Sequence, residues 1–236
     1  MVSVSQPSSG LWLTTLPFHP SLSIPNSHFS IASRIRLGLI PIDNLTTCSC
    51  SASLTNNPLH FLDCRLLRSL VIARHQRIIH TFARISRLIG ISVVIEPRIG
   101  LDDMSRSDAN FFLTSLSAHT DVCVVHPSAT SYLKLATKPL GACLDREKRK
   151  DNLYLRRAQA NGSLFFPLVI ESYGAIGKRA RDFIRLLTEE AGKNSFVNLY
   201  GLSISDFLLR SISTVLQTSN ALICSGGGVS SRRGRN

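Results

Sequence analysis

Apolar and polar positions alternate regularly over most of the chain and irregularly at its start. Residues 63–90 (DCRLLRSLVIARHQRIIHTFARISRLIG) carry apolar side chains at 67, 70, 71, 78, 82, 85 and 88, close to helical spacing, with Gly90 as a stop. Residues 91–96 (ISVVIE) form a β-branched run closed by Pro97, which predicts a short buried strand. A polar loop over 98–107 leads into residues 106–127, RSDANFFLTSLSAHTDVCVVHP. Two apolar stretches there flank Thr114-Ser115 and predict a hairpin, although Thr-Ser is a poor turn compared with Asn-Gly. Residues 131–160 read as helix, broken at Pro139, strongest over 140–157 and ended by Gly162. Residues 164–172 (LFFPLVIES) read as a strand in which Pro167 predicts an edge or an irregular start. Amphipathic helices are predicted over 176–190 and 204–223. The order helix, strand, hairpin, helix, strand, helix, helix predicts a mixed α/β domain over residues 66–224.

The ends read differently. Residues 1–44 are rich in Ser, Pro and Leu and have no acidic residue before Asp43. They are expected to be a disordered or truncated upstream segment. An organelle transit peptide is the alternative, weakened because Arg34 and Arg36 are the only strong bases there. Residues 225–236 (SGGGVSSRRGRN) read as a flexible basic tail.

Composition adds a partner class. The chain of 236 residues is long enough to bury a core, and its hydrophobic fraction of 44% is ordinary. The net charge of +12 is not ordinary, and it favours nucleic acid first and anionic membrane second. No apolar run approaches the ~20 residues of a membrane helix, so a membrane partner is not expected. Six cysteines in a chain of this length do not look like a disulfide framework.

Three of them lie near a histidine. Cys48, Cys50, His60 and Cys64 are spaced C-x-C-x9-H-x3-C over residues 45–65. Three thiolates and an imidazole suit tetrahedral zinc, and a loop between ligand pairs is how a small knuckle is held together. The one-residue first gap is shorter than usual, and the alternative is unrelated cysteines beside a helix-capping histidine. Cys123 and Cys143 sit in apolar contexts as core thiols.

The hairpin carries a second candidate centre. Asp108 and Asp121 are equidistant from the Thr114-Ser115 step, so an antiparallel pair folded there sets them opposite each other. Two like charges so close favour a divalent cation between them; the alternative is an exposed hairpin whose aspartates face water. Glu96, at the end of the preceding strand, could complete such a shell or pair with Arg98. Glu171 could line the cleft, and His126 could approach DNA or end its strand.

In this order the chain resembles the C-terminal part of site-specific non-LTR retrotransposon proteins, where a cysteine-histidine knuckle precedes a restriction-like endonuclease of the PD-(D/E)-x-K type. The resemblance runs over about residues 45–222. It is carried by the knuckle, Arg74-His75, IEPR (95–98), the hairpin aspartates, DVCVVHP (121–127), REKRKDNLY (146–154) and FFPLVIESYG (165–174). It implies a restriction-endonuclease-like mixed sheet flanked by helices, and nicking of target DNA for target-primed reverse transcription. Asp108 matches the aspartate of the family's P-D and Asp121 the second acid; both would hold catalytic Mg2+, beside structural Zn2+ in the knuckle. Ser107 stands where proline is expected and Cys123 where the usual lysine would be. The resemblance supplies that lysine from the following helix: Lys150, with Lys148 the alternative and Tyr154 one turn beyond Lys150. Such an aspartate pair would hold the Lewis acid while the lysine orients water or neutralises developing charge. Arg74, His75, Arg77 and Arg84, together with the terminal SRRGR, would contact phosphates. The implied partners are DNA and possibly element RNA, the compartment is the nucleus, and the reverse transcriptase that precedes this region in the family is not in this sequence. The alternative is a catalytically dead remnant that binds nucleic acid through its zinc module.

Overall fold

A computed structural model describes residues 2–99, 105–192 and 199–233, with side chains through residue 227. The elements run α1 (Asn26–Arg36), α2 (Arg68–Leu88), β1 (Ser92–Ile95), β2 (Ala109–Phe112), β3 (Ser117–Val125), α3 (Gly141–Ala160), β4 (Leu164–Glu171), α4 (Lys178–Gly192) and α5 (Ile204–Arg233). The four strands form one mixed sheet in the order β1-β2-β3-β4. The first three are antiparallel neighbours; β4 runs parallel to β3, a pairing that needs the crossover α3 supplies.

The hairpin closes about the predicted step, with Ala109 opposite Thr120 and Phe112 opposite Ser117. Pro167 sits in β4 at the open edge of the sheet, where its missing N–H breaks no ladder. β1 departs from the expected buried strand. Only Val93 is inside, while Val94 is 47% exposed, because β1 is the opposite edge and is covered on one face.

One core lies between the sheet and helices α2, α4 and α5. Ile78, Phe82 and Ile85 of α2, Phe111 of β2 and Phe183 of α4 are all buried, and Phe111 meets Phe183 edge-on at 4.9 Å between ring centroids. α3 covers the other face of the sheet, with Cys143 against Val125 and Val169, and Ala158 against Phe165.

Residues 2–44 are not the disordered segment that composition predicts. Trp12 is 3% exposed, and its backbone N–H donates to Ser213 Oγ of α5 at 3.2 Å. Arg36 donates to the carbonyls of Ser9 (2.9 Å) and Val4 (2.8 Å), and Arg34 Nε to that of Ile40 (2.7 Å). The two arginines that look like a weak targeting signal therefore tie irregular backbone to α1. Nor is the knuckle a separate unit: Leu54, Phe61, Leu62 and Leu67 share a second core with Ile35 of α1 and Ile223 of α5. Residues 225–233 of the expected tail continue α5, which stays helical through Arg233. Its glycines serve close approach. A Cβ on Gly226 would lie 2.4 Å from Leu70, and one on Gly227 would lie 2.5 Å from the Phe61 ring. Residues 100–104 of the predicted polar loop, and the side chains of the terminal SRRGR, lie outside the described residues.

Candidate nuclease and zinc centres

α2, the β2–β3 hairpin and α3 bring four polar side chains to one place. The regular ladder stops at Ala109 and Thr120. One step further, the Asp108 N–H donates to the Thr120 carbonyl at 2.9 Å, so Asp108 and Asp121 are offset rather than directly opposed. The Asp108 carboxylate instead takes the Val122 N–H on Oδ2 at 2.6 Å. His75 Nε2 lies 3.0 Å from that same Oδ2 and 3.1 Å from the Val122 carbonyl. Both are acceptors, so this nitrogen carries the proton. The bond to Asp108 raises the His75 pKa, helped by the charge of Asp121 and opposed by burial.

Asp121 pairs with Lys150 Nζ at 2.6 Å, and Lys150 lies over the Tyr154 ring at 5.5 Å from its centroid. Burial first, then the charge of Asp108, pushes the Asp121 carboxyl up; Lys150 and His75 pull it down without cancelling the rise. Asp121 thus feels the charge of Asp108, and each carboxylate lies against a basic side chain, Lys150 for Asp121 and His75 for Asp108.

The other candidates fall elsewhere. Lys148, two residues from Lys150 on α3, is exposed on a different side of that helix. Glu96 has a left-handed backbone (φ 53), donates its N–H to the Asp108 carbonyl at 2.9 Å, and carries an exposed side chain 4.0 Å from Arg106. Arg74 is not available to phosphates, because it is 4% exposed and donates to Asn220 Oδ1 at 2.8 Å. Burial lowers its pKa to about 10. Arg77 and Arg84 are exposed on α2. Glu171 is buried and accepts from the Ser3 hydroxyl, and His126 meets Ser172 Oγ at 2.8 Å at the end of β3. Ser107, in place of the expected proline, bonds its hydroxyl to His119 Nδ1 at 2.8 Å and so fixes the chain just before Asp108. Sequence reasoning missed Arg146, whose Nε donates to Cys123 Sγ at 3.2 Å. Its signal was present: it lies four residues before Lys150 on the same face of α3.

Before the N-terminus of α2, the ligand atoms of Cys48, Cys50, His60 and Cys64 lie within 4.8 Å of one another. The Cys48 and Cys64 sulfurs are 3.7 Å apart, matching the edge of about 3.8 Å that Zn–S bonds of about 2.3 Å give in a tetrahedron. His60 Nε2 is 3.0 Å from Cys50 Sγ. Burial raises the Cys48 thiol to about 12. Burial also acts upward on Cys50, but hydrogen bonds from the Ala52 backbone and His60 outweigh it and bring that thiol to about 7. The donor set fits zinc.

The molecule is thus a mixed α/β protein with a Cys3His cluster able to hold zinc and a paired-carboxylate centre on its sheet. No protein-family profile matches the chain. It is a distant relative of the retrotransposable element SLACS 132 kDa protein of Trypanosoma brucei gambiense, 27% identical over 148 residues. That match takes in 58% of this chain and only 12% of the trypanosome protein.

Proposed function

We propose that this chain is the metal-dependent DNA endonuclease region of a non-LTR retroelement protein, with a restriction-like fold, nicking target DNA to prime reverse transcription. The observation that carries this reading is the meeting of Asp108, Asp121, Lys150 and His75 where α2, the hairpin and α3 come together. The distant likeness to a retrotransposable-element protein supports a retroelement origin. A mixed sheet clad by helices, with the acids on its central hairpin, supports the restriction-like assignment. In this role the aspartates hold the metal, and Lys150 orients the water or offsets charge on the phosphate. His75 keeps the Asp108 carboxylate in place. DNA is the substrate, element RNA a second partner and the nucleus the compartment; the net charge of +12 and the exposed Arg77 and Arg84 support a polyanionic partner.

The test is nicking of supercoiled plasmid by the purified chain in Mg2+. The parent nicks; Asp108→Ala, Asp121→Ala and Lys150→Ala each lose about 100-fold or more, and Lys148→Ala does not. Variants of the two aspartates that cut like the parent would exclude this site. One observation favours the second reading, a remnant that only binds nucleic acid. Both carboxylates already have partners, Asp121 a lysine and Asp108 a histidine and a backbone N–H. That reading predicts salt-sensitive DNA or RNA binding, dependent on the zinc cluster, with no cleavage.

A further inference from the structure

We propose that the aromatic cluster where residues 17–25 meet the start of α5 is a stacking platform for the unpaired bases of single-stranded DNA. Phe18 and Tyr200 lie 5.7 Å apart between ring centroids, His19 lies 5.2 Å from Tyr200, and Tyr200 stacks on Phe207 at 6.3 Å and 26°. Phe207 is fully buried and anchors the group, whereas Phe18 is 44% and Tyr200 53% exposed. Phe18 and His19 line a groove of about 510 Å3 that Pro17, Pro20 and Pro25 wall. Those prolines fix φ on either side of the two rings, so the rings are held in place before a ligand arrives. Tyr200 has a left-handed backbone (φ 58), which costs a residue with a Cβ about 1–2 kcal/mol. It is kept there with half of its surface open to solvent, so core burial does not account for the strain.

The charge beside the groove selects the occupant. Arg84 of α2 is exposed in an adjoining cleft that shares Pro20 and Ser23 with the groove. Its charge reaches the rings: burial, then Arg84, lowers the His19 pKa, which leaves a neutral imidazole beside Tyr200. No carboxylate lines either space, and Asp206, next to Phe207, is met by the Ser203 hydroxyl at 2.8 Å. A duplex would bring phosphates to the arginine but keep its base faces hidden in the stack. A bilayer surface is ordinarily met by a basic amphipathic helix, and the groove is built on an irregular proline-rich turn. An unpaired strand offers flat bases to the rings and phosphates to the guanidinium together. The choice of DNA rests on the nuclease reading, in which nicking frees a DNA strand.

Binding of a labelled oligothymidylate to the full chain, without added divalent cation, tests the platform. The single strand is expected to bind about tenfold tighter than the same strand paired to its complement. Phe18→Ala and Tyr200→Ala each weaken the single strand about tenfold, the loss of one stacked base, and leave the duplex as it was. Tyr200→Phe binds like the parent and Tyr200→Leu does not, which separates an aromatic face from apolar bulk. Arg84→Gln lowers the slope of log Kd against log salt by about 0.7, the share of one phosphate on a single strand. Parent-like binding by both alanine variants overturns the proposal. So does tighter binding of oligouridylate through the same rings, or ring-dependent binding to vesicles of phosphatidylserine and phosphatidylcholine in place of the oligonucleotide. Asp121→Ala keeps the ring-dependent binding. A chain that binds through the rings but never nicks defeats the nuclease reading alone, and one that nicks but binds without the rings defeats this one alone.

Discussion

Arg74 and His126 stand close together, and burial changes both. With its pKa lowered to about 10 by burial, Arg74 still carries its charge near neutral pH, and it donates to Asn220 of α5. Burial, then the nearby Arg74 charge, holds His126 down at about 4, so it is neutral in the folded protein. The unfolded chain takes up a proton near pH 6.5 that the folded one refuses. Between pH 6.5 and 4, stability therefore falls as pH falls, by up to about 3 kcal/mol from this residue. Urea unfolding at pH 7, 6 and 5 should show a shallower loss in His126→Gln, which keeps a polar partner for Ser172 but cannot titrate. His75 has the opposite sign. Its raised pKa gives stability that is complete below pH 6.5 and is lost as pH rises through the folded value, so His75→Gln should flatten the alkaline side. Neither fate was legible in the residues themselves. An arginine on an amphipathic helix is ordinarily solvated, and the partner that buries Arg74 lies 146 residues away.

At the scale of the element, local pattern told much. The Thr114-Ser115 turn set the hairpin register, and Pro167 marked an edge strand, because period-2 alternation and a missing donor act locally. The offset at Asp108 was not legible, since it follows from a side chain capturing the Val122 N–H. The glycines of α5 misled for a physical reason: their low helix propensity reads as flexibility, whereas here they admit Phe61 and Leu70. Gly227→Ala should therefore destabilise by about 1–3 kcal/mol through overpacking, despite a propensity gain of about 1 kcal/mol. Thermal melts of this variant beside an alanine at an exposed α5 position would check it; a stabilised Gly227→Ala would mean the contact is dispensable.

Across the whole molecule, the two cores are joined by α5, which at 30 residues is about 45 Å long. The N-terminal stretch is held against that helix, which sequence could not announce because short irregular turns carry no periodicity. Trp12, the only tryptophan, reports on this docking. Its fluorescence should change in the same denaturant transition as the helical signal, and Trp12→Ala should cost about 3–5 kcal/mol. An earlier separate transition would make residues 2–44 an independent unit. The glycine-rich last turns of α5 also make the chain's end conditional. They are poor helix on their own, and they rest on Phe61 and on Ser49, whose hydroxyl donates to the Gly227 carbonyl at 2.8 Å, within the loop that carries the cysteines. A chelator that strips zinc from that loop would remove the support of a helix end that itself ligates nothing. Protease cuts beyond residue 225 would then report, at a distance from the cluster, on any metal it holds.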